Sequence, residues 1–259
     1  MGTTKLTRKE ILAEDPVHEA LVWIIEFFRA NSKRIGITAA AVVVVAVGIY
    51  AGLQYLDSRE AQAQERLAKG IDLFHGQIAA DAADDPYSKG PTPMFRTETA
   101  KYQAAAKEFS SIIDRYSFGK IPIVARYYLG LSEIRTGQEK EAIQSLELVA
   151  SNSKDRTIGY LAKKVLATEY ANSGNNKGAS EILYGLIKDP QCQLPKEDLS
   201  IQLSRVLVAQ GKRDDAIKVL REASSQGPAF SVFKQQVAAE LEKLLKLPAA
   251  NPGQQTAHP

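Results

Sequence analysis

Cysteine occurs once in the 259 residues, as Cys192. A single thiol excludes an intramolecular disulfide and any cluster of thiolates holding zinc within this chain. Histidine is nearly as scarce: His18, His75 and His258 lie far apart in the sequence and form no metal-ligating spacing. Neither sign of charge dominates, with 33 basic against 30 acidic residues and a net charge of +3. That balance provides no electrostatic footprint for nucleic acid. The chain also lacks G-x-S-x-G, H-E-x-x-H and the phosphate-cradling G-x-x-x-x-G-K-[ST]. Paired acids such as Asp84-Asp85 and Asp214-Asp215 read as solvated turns and faces, because no D-x-D-x-D-G cation spacing surrounds them. Catalytic, cofactor and metal residues are all expected to be absent, so the chain reads as a non-enzyme.

Charge is missing altogether from one stretch. Ile35 to Leu56, "IGITAAAVVVVAVGIYAGLQYL", has 22 residues without a charge. At ~1.5 Å per residue such a helix is about 33 Å long, the hydrocarbon thickness of a bilayer. The run exceeds a signal-peptide core, begins after residue 34 and has no A-x-A-like cleavage site, so it reads as a retained anchor. Lys33 and Arg34 abut its start and Arg29 precedes them, whereas "DSRE" beyond the run mixes signs. Basic flanks stay in the cytoplasm. Residues 1–34 are therefore expected inside, 35–56 in the membrane and 57–259 outside. Within the run, Gly48 and Gly52 form G-x-x-x-G, a spacing that lets two spans approach closely as a homodimer. Before the run, Asp15-Pro16 reads as a helix start. Val17, Leu21, Ile24 and Phe28, with Trp23 and Phe27 beside them, fit either a short amphipathic helix on the inner leaflet or an extension of the span.

Beyond the run, 57–78 reads as a helix with Leu67, Ile71, Phe74 and Ile78 on one face. Residues 79–99 hold three prolines and a glycine, and read as a long loop inserted in the helical domain. The segment 248–259, rich in Pro, Ala and Gln, is expected to be disordered.

The remainder repeats. "GQEKEAI" at Gly137, "GNNKGAS" at Gly174 and "GKRDDAI" at Gly211 recur at a step of 37 residues. Ala105, Ala142, Ala179 and Ala216 keep that step, as do Phe109, Leu146, Leu183 and Leu220 four positions later. Leu129-Gly130, Leu166-Ala167 and Leu203-Ser204 align upstream, followed by Glu133, Tyr170 and Leu207. Fixed offsets of a small residue, a large residue and a turn glycine predict helical hairpins stacked in an array over 57–247. The Ala allows close crossing of the second helix over the first, the large residue fills the space beside it, and the Gly supplies the positive φ that ends the first helix.

This pattern resembles the tetratricopeptide repeat (TPR). "LGLSEIRTGQEKEAIQSLELV" matches closely, and "LSRVLVAQGKRDDAIKVLREASSQGP" matches through Pro228. "LATEYANSGNNKGASEILYGL" departs at Leu186, and "AAAKEFSSIIDRYS" matches a second helix alone, with its first helix before the 79–99 loop. The longer step and the missing aromatics are departures from the family pattern. The resemblance implies an all-α chain: one transmembrane helix followed by a TPR-like α-hairpin solenoid. It also implies a protein-binding groove lined by the first helix of each unit. Carried over, the groove positions are Tyr127, Leu131 and Arg135; Lys164, Thr168 and Asn172; and Ile201, Arg205 and Val208. Such a set suits a peptide with some negative charge. The Lys/Asn clamp for a C-terminal carboxylate is not found.

A short cytoplasmic segment, one span and a TPR array outside together resemble the ancillary subunit family of the bacterial SecYEG translocon. That resemblance implies a chaperone-like adaptor in the inner membrane, with its repeats in the periplasm and exported proteins as clients. The alternative is a structural or cell-division scaffold that self-assembles through repeats and span. An outer-membrane assembly lipoprotein would need a lipidated N-terminal cysteine, which Cys192 cannot supply.

Overall fold

The structure, a computed structural model, describes residues 16–116, 119–152, 156–225 and 232–246. It is all-α, apart from two strands of two residues each. Two compact units divide it, Met1–Ala61 and Gln62–Pro259. Asp15, Pro228 and the 248–259 segment lie outside the described residues.

The described part of the first unit is helical, and from Glu19 on its apolar side chains are exposed except for the half-buried Ile35. Helix α1 (Pro16–Phe74) begins at the expected proline and runs on through the uncharged stretch without a break. It is long and apolar enough to cross a membrane, with a mean hydropathy of 2.2 over an 18-residue window that is 0% buried. Trp23 and Phe27 stack on its surface with ring centroids 5.6 Å apart. Beside Gly36, Gly48 and Gly52, no atom lies within 4 Å of where a Cβ would stand.

The second unit opens with the last turns of α1, which bury Ala63 and Leu73 and pack Leu67, Ile71 and Phe74 beside them. The helix stops at Phe74, short of the expected Ile78. Gly76 explains the stop: a Cβ there would lie 2.6 Å from Cε2 of Phe95 and 2.9 Å from the Pro93 carbonyl oxygen, so the chain leaves the helix where only glycine fits. Ile78 instead belongs to β1 (Gln77–Ile78), which pairs in parallel with β2 (Met94–Phe95) and leaves Ile78 exposed. The 79–99 insertion is thus pinned at both ends. Within it Lys89 pairs with Asp81, and Arg96 Nε donates to the Ala82 carbonyl at 2.7 Å.

Eight helices follow among the described residues: α2 (Glu98–Arg115), α3 (Ile121–Arg135), α4 (Glu139–Asn152), α5 (Arg156–Asn172), α6 (Asn176–Lys188), α7 (Lys196–Ala209), α8 (Arg213–Ser225) and α9 (Val232–Lys246). Thr97 starts α2 and Asn175 starts α6, each side-chain oxygen accepting the N–H three residues on. Helices α3, α5 and α7 end at Gly137, Gly174 and Gly211, with φ of 78°, 83° and 76°. The first and third turns share one closing bond of 2.8 Å, from Gln138 N–H to the Glu133 carbonyl and from Lys212 N–H to the Leu207 carbonyl. Both are the six-to-one bond of a Schellman turn.

Each helix from α2 to α9 packs mainly on its sequence neighbours, which is the arrangement of a one-dimensional array. Ala105, Ala142, Ala179 and Ala216 are fully buried, and so are Phe109, Leu146, Leu183 and Leu220 to within 1%. A Cβ on Gly70 would lie 2.6 Å from Phe109 Cε1, and one on Gly130 would lie 3.0 Å from Leu146 Cγ. Gly70 therefore marks the first helix of the N-terminal hairpin, separated from its partner α2 by the insertion. At the other end α9 buries Val237 and Leu244 against α7 and α8.

Candidate functional site

Helices α3, α5 and α7 carry the groove positions, each oriented by the small residue that docks against its partner helix. Their side chains meet different fates. On α3, Tyr127 is half-buried and makes an edge contact with Tyr128, centroids 5.6 Å apart. Burial, then the neighbouring Tyr128, pushes the Tyr127 phenol above its ordinary pKa. Leu131 is half-buried, and Arg135 is exposed with its guanidinium 5.9 Å from the centre of the Tyr102 ring.

On α5, Lys164 pairs with Asp198 of α7 at 2.5 Å. Thr168 is exposed and donates to the Lys164 carbonyl at 3.2 Å, while the exposed Asn172 hydrogen-bonds the Glu169 carboxyl. On α7, Arg205 pairs with Glu240 of α9, its Nε donating at 3.0 Å. Val208 is exposed, but Ile201 is only 4% exposed and belongs to the C-terminal core. Ile201 thus offers no side chain to a partner. The two cations are already matched by acids of the next layer. Among the described residues no hydrogen bond, ion pair or ring contact joins Tyr127, Lys164 and Arg205 to one another.

Two features were not read from the sequence. The first is a pair of crevices on the second-helix side. One, of about 770 Å³, lies between α4, α5 and α6; the other, of about 300 Å³, lies between α6, α7 and α8. Their linings correspond at the 37-residue step: Tyr160 with Glu197, Leu166 with Leu203, and Ile182 with Val219. The signal available in the sequence was Gly185, a glycine inside a helix where the preceding unit has Leu148 and the following one Glu222.

The second is Glu133, on α3 at the place of Tyr170 and Leu207. It is 9% exposed, and its Oε2 has no hydrogen-bond partner. Desolvation raises its pKa, reinforced by Glu141 and opposed by the Ser145 hydroxyl and Arg126. Glu133 faces the contact between α3 and α4 rather than a cleft. Cys192 is buried beneath the turn between α6 and α7. Among the described residues, no group of three His, Cys, Asp or Glu side chains is placed to hold a metal ion.

The fold defines the class of protein: a TPR-like solenoid of α-hairpins, whose stacked layers offer extended surfaces to protein partners. Among solved structures, the chain is similar to the nearly identical TPR-like repeats of a kinesin light chain from Podosopora anserina (16% identity, TM-score 0.46, covering 57% of this chain and 79% of that one). A point variant of that protein gives 16% identity, TM-score 0.47 and coverage of 57% and 78%. No protein-family model matches the sequence, and comparison with curated proteins gives no match.

Proposed function

We propose that the chain is a single-span membrane adaptor whose helical array, outside the cytoplasmic membrane of a bacterium, binds exported or envelope proteins beside a SecYEG-type translocon. The observation that carries this reading is α1. No residue of the most apolar 18-residue window of this helix is buried among the described residues, and the same helix supplies the first layer of a repeat array. Bare apolar side chains over a bilayer's thickness call for lipid, and an array of hairpins calls for polypeptide partners. Catalysis has no part in this reading.

The exposed Arg135, Thr168, Asn172 and Val208, with half-buried Tyr127 and Leu131, are the groove's contact residues. Lys164 and Arg205 bind an acidic partner only by exchanging Asp198 and Glu240 for it. The test is cross-linking in native membranes from a photoreactive residue at Thr168. Adducts with translocon subunits and exported chains are expected, and replacing Tyr127, Lys164 and Arg205 together with Ala should weaken them while helicity is kept. Adducts with a second copy of the chain alone would favour the self-assembling scaffold, for which the open faces of Gly48 and Gly52 are the supporting observation.

A further inference from the structure

Gly185 lines the larger crevice without a side chain of its own. A Cβ built on Gly185 meets nothing within 4 Å, so there is open space beside it, while the aligned Leu148 of the preceding unit is exposed. Leu166, Ile182 and Leu186 give the space an apolar floor. Its rim is acidic. Asp189 is already served, accepting from the Tyr160 hydroxyl at 2.7 Å with Arg156 and Lys163 nearby. Glu147 accepts from the Tyr170 hydroxyl at 2.5 Å through one oxygen, and Glu181 makes no hydrogen bond or ion pair with any described residue. Lys163 is the only base in the lining.

On α5, the crevice residues Tyr160, Lys163 and Leu166 centre roughly 140° around the helix from the centre of Lys164, Thr168 and Asn172, at ~100° per residue. The crevice and the groove therefore use opposite faces of one helix. We propose that this crevice is a second docking site, which takes an apolar side chain flanked by Lys or Arg from an extended partner segment. The apolar side chain fills the volume that Gly185 leaves open. The flanking cation meets Glu181 and the free oxygen of Glu147, the two carboxylates left with capacity. This preference is opposite in sign to that of the cation-bearing groove, so the two faces do not compete for one kind of segment.

The test uses the full chain in nanodiscs of zwitterionic lipid and fluorescence anisotropy with the labelled peptide Gly-Ser-Lys-Leu-Phe-Lys-Ser-Gly. A peptide with Glu in place of both Lys serves as the control. The basic peptide should bind, and the acidic one should bind about tenfold more weakly or not at all. Gly185→Leu adds a side chain to the crevice lining without a clash, because a Cβ there meets nothing within 4 Å, and should weaken binding about tenfold. Glu181→Lys should weaken it as well. The Tyr127, Lys164, Arg205 triple alanine variant should leave it unchanged. Equal binding of the two peptides, full affinity in Gly185→Leu, or loss of binding in the triple variant would each overturn the proposal. None of these outcomes bears on whether the opposite face binds exported proteins.

Discussion

Leu146 of α4 sits directly over Gly130 of α3, so close that a methyl group on the glycine would stand 3.0 Å from the leucine Cγ. The same contact is made by Phe109 over Gly70, there at 2.6 Å. Ala167 and Ser204 align with Gly130, and Leu183 and Leu220 align with Leu146, at the 37-residue step. Large residue over small residue is the local rule that sets how near the two helices of a hairpin approach.

Overpacking that contact should cost stability in proportion to burial. Ala179 is fully buried on α6, and replacing it with Leu is expected to destabilise the array by ~1–3 kcal/mol. The same change at Ala209, exposed at the end of α7, should move the melting temperature little. Thermal unfolding followed by circular dichroism compares the two. Equal melting temperatures would overturn the placement of the repeat.

Glu133 should make stability depend on pH in a particular direction. Burial raises its pKa in the folded protein above the unfolded value. Between those two values the folded chain binds the proton more readily, so stability from this group rises as pH falls through the folded pKa. Glu133→Gln is therefore expected to stabilise the protein at pH 7 by ~1 kcal/mol, with the advantage vanishing below the ordinary glutamate value of ~4.3. Melting temperatures of the two proteins across this range provide the measurement, and a gap that does not change with pH would remove Glu133 as its source.

The anchor reading fixes an orientation. Arg29, Lys33 and Arg34 precede the uncharged stretch, and a reporter that folds only outside the cytoplasm should be active when fused after Pro259. Replacing the three bases with Glu should reduce that activity. A reporter active only inside would reverse the topology and remove the translocon reading with it.

Much of the array could be read from the sequence because it repeats. A 37-residue period carries its own alignment, and that alignment placed the buried alanines, the large residues over them and the glycines of positive φ. What it could not carry was anything unique to one unit. Ile78 continued the helical spacing of Leu67, Ile71 and Phe74, yet Gly76 pressed against Phe95 ends the helix first, a contact across the insertion that no local pattern encodes. The ordering of residues 79–99 rests on two short strands 17 positions apart, too brief to show as runs. Groove residues were named by place in the motif. Which of them stay free depends on how successive layers are rotated. That rotation buries Ile201 and gives Lys164 and Arg205 acidic partners from helices 34 and 35 residues further on. The larger crevice is lined by Gly185, which departs from Leu148 and Glu222 at the aligned positions, and the repeat has no rule for that place.

Those two ion pairs also give the array a direction. In each the cation belongs to the earlier helix and the carboxylate to the later one: Lys164 to Asp198, Arg205 to Glu240. Charge is handed forward along the stack, and α9 is the last receiver described. Cutting the stack before α9 would strand Arg205, whereas cutting it before α5 would leave both pairs within the later part. An acidic helix brought to this face from outside would meet cations that the chain's own later helices already hold.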